Sequence, residues 1–365
     1  AMILIDTIGV FWTMKYPNLR DENLLEEWSL KPKGMEIDVY APTGYFKSLK
    51  EKGLPIDKPF SIKTSELEAG DWCDVLNVPL LEPIGLLIEQ TLENVHKKYG
   101  DEYDVEDIIT SIEKNKKNTS VKEAAINLLR NAQRWGLFSK EGTTIEELAQ
   151  RGKVTVLDIS AYSYISGNWH IKNLVVALLG RKLLSERIES KKFEELENIE
   201  THETLFLDTE KALEKPLIWL FIDEAHEFLP KHKETIASEV LVQLLREGRQ
   251  PGISMVLATQ QPGEIQKDVL TQSDVVLSHR LTAKIDIDAW NLMMQSYLLA
   301  DIQTFMNALP KSPGAAIILD DNSERIYPMQ VRPKLSWHGG EAPSAIKYSK
   351  REEFEKYLDS NFRKK

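Results

Sequence analysis

The 365-residue chain is long enough for about two to three ordinary domains, or for one large α/β domain carrying an insertion. Its 42% hydrophobic and 28% charged residues exclude a largely disordered, collagenous or membrane-spanning polypeptide. With 46 basic against 57 acidic residues, a net charge of −11, the chain is no coat for nucleic acid or anionic membrane, although a local basic groove or pore remains open to it. The single cysteine, Cys73, permits no intramolecular disulfide and no Cys-based zinc site, so a reducing cytosol is the simplest home.

In chain order, the start lacks the pattern of a signal peptide, and no apolar run approaches the roughly 20 residues of a membrane span. Residues 2–5 read at once as a buried strand behind Ala1 alone, which leads to the expectation that a segment belongs upstream. Further short apolar runs follow at 35–40, 154–159, 217–222, 253–258, 275–277 and 315–319. Helical patterns separate many of them, and strands alternating with helices predict a mainly parallel sheet covered on both faces. After the last run, Asp320-Asp321-Asn322-Ser323 and the alternating 325–329 predict an edge hairpin.

From about 79 to 150 the strand signal gives way to helical patterns, with Pro83 placed to open a helix and further helices around 105–114 and 121–135. The expected organisation is a first core part at 1–78, a helical insertion at 79–150, the remaining core at 151–335 and a helical tail at 336–365. The Glu- and Lys-rich stretch 185–200 reads as an exposed helix or arm, and 347–365 as a terminal helix docked by one face.

The most informative stretch runs from Leu217 to His226. Its apolar residues fit a central strand buried on both faces, and it delivers two adjacent carboxylates, Asp223 and Glu224, at the carboxyl end, where α/β sheets bind ligands. That is the form of a Walker B motif, in which the first carboxylate holds Mg²⁺ through its water shell and the second polarises the attacking water. The competing reading is an Asp that merely caps the next helix. The next strand ends in Thr259-Gln260-Gln261-Pro262, and an amide there suits sensing of a γ-phosphate without adding charge; otherwise Gln260 is a turn residue. Arg249 stands in a Gly-flanked turn that could present its guanidinium to a neighbour's phosphate, or could simply be solvated. His226 lacks the spacing of a zinc helix, and a packing or coupling role suits it better. Trp12, Tyr16, Tyr40 and Tyr45 could approach an adenine base, although core packing explains most of them.

Taken together, Asp223-Glu224-Ala225-His226, Arg246-Glu247-Gly248-Arg249, Ala258-Thr259-Gln260-Gln261-Pro262 and Ser278-His279-Arg280-Leu281 with Asp286 resemble the HerA/FtsK superfamily, and within it the archaeal and bacterial HerA-like ATPases. Ile5-Asp6-Thr7-Ile8-Gly9 resembles the strand end that follows the P-loop helix in that family. The resemblance implies a RecA-like ATPase core that assembles as a homo-oligomeric ring, usually a hexamer, and moves duplex DNA, in some members alongside a nuclease. It implies ATP and Mg²⁺ as cofactors, Asp223 as the Mg²⁺-associated carboxylate, Glu224 as catalytic base and Gln260 as sensor. Arg249 is then the first candidate for an arginine finger, with Arg246 and Arg280 as weaker nucleotide-binding candidates.

One departure matters. The phosphate cradle G-x-x-x-x-G-K-[ST] does not occur in the sequence, and Gly44-Tyr45-Phe46-Lys47-Ser48 matches neither its spacing nor its place after the right strand. The family's P-loop would precede residues 3–5. The reading favoured here is that a segment is missing, so that this chain alone binds ATP weakly and does not turn it over. The alternatives are a catalytically inactive scaffold that keeps the fold, and a motor for another polymer or a secretion system.

Overall fold

The computed structural model describes residues 1–115, 119–164, 169–203, 215–294, 302–320, 323 and 325–340. Among them eleven strands form: β1 (Met2–Asp6), β2 (Ile37–Pro42), β3 (Lys58–Phe60), β4 (Ile62–Lys63), β5 (Phe138–Ser139), β6 (Val154–Asp158), β7 (Ile218–Ile222), β8 (Ile253–Leu257), β9 (Val275–His279), β10 (Ala315–Asp320) and β11 (Arg325–Gln330). Six of them make one sheet in the order β3-β2-β6-β1-β7-β8. Every pairing within it is parallel. Each apolar run read from the sequence is one of these strands, because a run of β-branched and large apolar residues fits a pleated, buried surface.

The alternation of side chains divides this sheet into two faces. One face presents Ile3, Ile5, Leu157, Leu220, Ile222 and Ile253, all buried in the largest core cluster. It is covered by the 35-residue helix Trp169–Glu203 and the helix Ile236–Glu247, which share that cluster through Leu174, Val175, Leu183, Val240, Leu241 and Leu244. A Cβ on Gly180 would come within 2.9 Å of the Val240 side chain, so glycine permits the two helices to approach closely. The second face presents Val39, Ala41 and Val156, buried under the short helices Phe11–Lys15 and Thr43–Glu51.

That second cover stops short of the far strands. The sequence predicted residues 217–222 as a strand buried on both faces, yet Trp219 of β7 is 45% exposed, beside Met2 at 42% and Val256 at 37%. The expected helical cover on both faces is therefore complete on one face and partial on the other. The predicted hairpin is formed by β10 and β11, and it extends β9 in a separate antiparallel sheet, β11-β10-β9, rather than an edge of the six-stranded one.

Helices Pro83–Tyr99, Val105–Lys114 and Thr119–Arg134 lie where helical patterns were expected. Pro83 occupies the first turn, where its missing N–H costs nothing, and Asp104 caps the second helix by accepting from Asp107 N while Asp107 returns the bond. The helices join the main core through Ile88, Ile108, Ile109 and Leu129. Inside the stretch read as purely helical, β5 pairs with β4; at two residues it is too short to leave a pattern. The charged stretch 185–200 is the second half of the long helix, but Arg187 within it is buried, donating to the carbonyls of Pro251 and Lys215 and to Glu194. The expected tail helix at 347–365 lies outside the described residues.

Candidate active site

β7 ends at Ile222 and the chain turns sharply. Glu224 adopts φ +50° and ψ +46°, a left-handed backbone that costs a residue bearing a Cβ roughly 1–2 kcal/mol. Bonds on either side hold it: Ala225 N donates to the Ala258 carbonyl at 2.8 Å, and Glu227 N to the Glu224 carbonyl at 2.8 Å. The first of these ties the turn to the end of β8, the strand that delivers Gln260. As a result Gln260 Nε2 donates to Glu224 Oε1 at 2.6 Å.

Glu224 is buried, and its second oxygen, Oε2, makes no hydrogen bond. His226 Nδ1 stands 3.5 Å from that oxygen and 3.0 Å from Thr259 Oγ1, which in turn accepts from Gln261 N at 3.0 Å. His226 thus couples the carboxylate turn to the glutamine loop, as its packing role predicted. Asp223 is half-buried and accepts from Glu224 N at 3.0 Å. Its carboxyl is pushed above the ordinary range, first by burial and further by Glu227, with the Glu224 N–H and His226 acting in the opposite direction.

Three groups behind this turn had no chemical role assigned from the sequence, although Asp6 stood in the strand end quoted above. Lys172, at the start of the long helix and buried, donates to Glu227 Oε2 at 3.1 Å and to the Thr7 carbonyl at 3.2 Å, joining the ends of β1 and β7. Nothing in the sequence around it forms a motif; Glu227 was visible only as the residue three past Glu224. Asp6 and Asp158 end β1 and β6 in register and are both buried. Asp6 accepts from the N–H groups of Ile8, Gly9 and Phe11, yet its burial and the nearby Asp158 raise its pKa to about 6.

The predicted arginines do not join this group. Arg249 lies in the turn before β8, at the opposite end of that strand from Gln260, and is exposed. Arg246 is paired with Asp268 at 2.6 Å, also on the surface, and Arg280 is exposed just beyond β9. Asp286 instead accepts from Gly263 N at 2.9 Å, fastening the loop beyond Gln260 to the helix Lys284–Met294. Trp12 and Tyr16 line a cleft of about 1050 Å³ with Ile37 and Val154, at the amino ends of β2 and β6 and so at the other end of the sheet from the carboxylates.

The donor set fits one half of an ATP and Mg²⁺ site. Among the described residues no three His, Cys, Asp or Glu side chains gather to hold a metal by themselves, so a Mg²⁺ at Asp223 would be shared with phosphate oxygens and water, as is usual for this cation. Glu224 Oε2, buried and without a hydrogen-bond partner, has the acceptor chemistry that such a site would use. The phosphate cradle is absent from the sequence, and Gly44 sits in the helix Thr43–Glu51, where a Cβ would lie 2.7 Å from Gly136 Cα. Close packing of two backbones explains that glycine.

A parallel sheet with an acidic strand end bonded to a glutamine on the neighbouring strand defines the class, a RecA-like α/β ATPase fold. The solved structure of VirB4 from Thermoanaerobacter pseudethanolicus has the same fold, covering 91% of this chain and 89% of its own at TM-score 0.50 and 12% identity. Residues 204–304 match the helicase HerA-like C-terminal family. The DNA double-strand break repair helicase HerA of Pyrococcus furiosus is 28% identical over 142 residues, which are 39% of this chain and 24% of that protein. The probable HerA of Methanocaldococcus jannaschii is 38% identical over 64 residues, 18% of this chain and 12% of that protein. These likenesses are to the HerA-like helicases, and the matched stretches span a quarter or less of those relatives. Among the described residues no helix is long and apolar enough to cross a membrane.

Proposed function

We propose that this chain carries the catalytic-carboxylate half of a cytoplasmic, ring-forming, HerA-like motor that couples ATP hydrolysis to movement of duplex DNA. The observation that carries the reading is the Gln260–Glu224 bond across the ends of β7 and β8, with Glu224 Oε2 left free to accept. Bound Mg²⁺ would supply charge neutralisation at the phosphates. Asp223 would hold its water shell, and Glu224 Oε2 would take the proton of the attacking water. Gln260 would fix Glu224 Oε1 while its own carbonyl oxygen remains available to that water. Lys172 and Glu227 would keep the turn in place from behind. Arg249, exposed and remote from its own chain's carboxylates, would act on a neighbour's nucleotide in a ring, with Arg246 and Arg280 as the other cationic candidates. A nuclease partner and a role in DNA-end processing follow from the HerA likeness alone.

A second reading, a scaffold that keeps the fold without catalysis, is favoured by one observation, the absence of G-x-x-x-x-G-K-[ST]. The two part on phosphate release by the protein expressed from its complete gene. The motor reading expects DNA-stimulated turnover that falls at least ~100-fold in Glu224→Gln, and none from residues 1–365 alone. No turnover with any polymer would leave the scaffold. Stimulation by RNA or protein but not DNA would reassign the cargo.

A further inference from the structure

Arg187 is buried, with 2% of its side chain exposed, in a stretch of the long helix Trp169–Glu203 that is otherwise rich in surface charge. A buried guanidinium is costly unless its donors are satisfied. Here Nε donates to the Pro251 carbonyl at 2.7 Å, and Nη1 to the Lys215 carbonyl at 3.0 Å and to Glu194 Oε1 at 3.1 Å. Glu194 lies about two turns further along the same helix and supplies the counter-charge. The two carbonyls belong to other segments: Lys215 leads into β7, and Pro251 lies in the turn between the helix Ile236–Glu247 and β8. A planar fork with donors in fixed directions sets these segments at a defined spacing, which neither an apolar residue nor the point charge of a lysine would do.

That turn carries Arg249, and its backbone is fixed from several sides. Gly248 N donates to the Leu244 carbonyl at 2.9 Å, Ile253 N to the Gly248 carbonyl at 2.8 Å and Gly252 N to the Arg249 carbonyl at 3.3 Å. The Gly252 carbonyl accepts from Ile218 N at 3.0 Å. Gly252 has φ +85°, and a Cβ there would strike the Leu217 side chain. Pro251 is itself buried. Surface turns ordinarily carry few such constraints, and an arginine that is merely solvated requires none.

The side chain on this turn is left free while its neighbour is not. Arg246, at the end of the preceding helix, is paired with Asp268. Arg249 is exposed and, among the described residues, makes no hydrogen bond or ion pair. A fixed backbone beneath an unpaired cation suits a phosphate contact made in trans, because only the side chain then loses freedom when the contact forms.

We propose that Arg187 is a positioning residue: through the Pro251 carbonyl it sets the Arg249 turn so that the Arg249 guanidinium meets the nucleotide phosphates held by a second copy of this chain. The assignment rests on the ATPase reading. It gives the long helix two separate duties. Lys172 stands behind this chain's own carboxylate turn; Arg187, about 22 Å further along the helix axis, stands behind the residue offered to a neighbour.

Mixed rings distinguish the two duties. The protein expressed from its complete gene is measured as wild type, Glu224→Gln, Arg249→Ala, Arg187→Met and the double variant Arg187→Met/Arg249→Ala. Arg187→Met keeps much of the volume and removes the donors; it is expected to lower kcat for ATP at least ~10-fold with KM within about 2-fold. The double variant should be no slower than Arg249→Ala, since both residues act through one contact. Co-expressed in equal amounts with Glu224→Gln, Arg187→Met should recover turnover above either parent, because about one site in four then joins an intact carboxylate turn to an intact arginine turn from its neighbour. An Arg187 that acted on its own chain's carboxylates through the helix would not be recovered by mixing, and that result would overturn the proposal. So would a wild-type kcat in Arg187→Met, or losses that add in the double variant. If Arg187→Met does not fold, judged by urea denaturation, Arg187→Lys, which retains the charge beside Glu194 without the fork, takes its place with the same expectations. A wild type without Glu224-dependent turnover would defeat the ATPase reading and the proposal with it, whereas a Glu224-dependent wild type with an unrecovered Arg187 variant would defeat the proposal alone.

Discussion

The two halves of the six-stranded sheet are built from similar strands and finished differently. On one side β2 and β6 carry Asp38, Thr155 and Asp158 among their apolar residues, yet both are largely buried. On the other side β7 and β8, Ile-Trp-Leu-Phe-Ile and Ile-Ser-Met-Val-Leu, are the more apolar pair, yet their second face is exposed. Strand hydrophobicity reports how much cover a strand requires. Whether the cover is present depends on which other segments of the chain reach it.

The largest expected effect is a contrast between two tryptophans. Trp72, on the helix Ala69–Leu76, is fully buried in the main core, its ring 4.9 Å from that of Phe138. Replacement by alanine should cost about 3–5 kcal/mol, because the surrounding core cannot close the space. Trp219→Ala in the same chain should cost less than about 1 kcal/mol, since its exposed side of the ring is already in water. Urea denaturation of the two variants measures both. Equal losses would mean that the far half of the sheet is covered in solution.

The strand-end acids sharpen the same comparison. Asp6 at the end of β1 is itself fully buried and its pKa rises to about 6, whereas Asp223 at the end of β7 is half-exposed. An acid whose folded pKa lies above its ordinary value is neutral in both states at low pH, and its contribution to stability is lost as pH rises from about 4 to 6. For Asp6 that loss is about 3 kcal/mol, complete above pH 6 to 7. Asp6→Asn should therefore flatten the fall in urea midpoint over that window, leaving the part due to Asp158, which burial raises in the same direction. A wild-type slope unchanged in Asp6→Asn would show that solvent reaches the end of β1.

These contrasts mark what the sequence made legible. The places of the strands along the chain, and of Glu224 and Gln260 at the ends of two of them, could be read, because each depends on residues close in sequence to an apolar run; the sheet order and the bond from Gln260 to Glu224 came only with the fold. The exposure of Trp219 could not, since a strand awaiting cover and a strand already covered have the same composition. Lys172 was missed for a related reason: its partners, Glu227 and the Thr7 carbonyl, lie 55 and 165 residues away, and only the fold brings them together. The surface arginines were selected for chemistry that a neighbouring subunit would complete, and nothing within one chain draws them toward the carboxylates.

The smallest effect isolates cover from chemistry. Val156 and Val256 are the same residue on the same face of the same sheet, fully buried in β6 and 37% exposed in β8. Val156→Ala removes two methyl carbons from a closed cluster with Leu4, Val39 and Phe11, and should cost about 2 kcal/mol. Val256→Ala removes the same atoms from a surface that water already reaches, and should change the urea midpoint by no more than about 0.5 kcal/mol in residues 1–365. Two substitutions of identical chemistry then measure what cover contributes at one kind of position on one face, and a Val256→Ala cost equal to that of Val156→Ala would show that the second face of β8 is covered in solution.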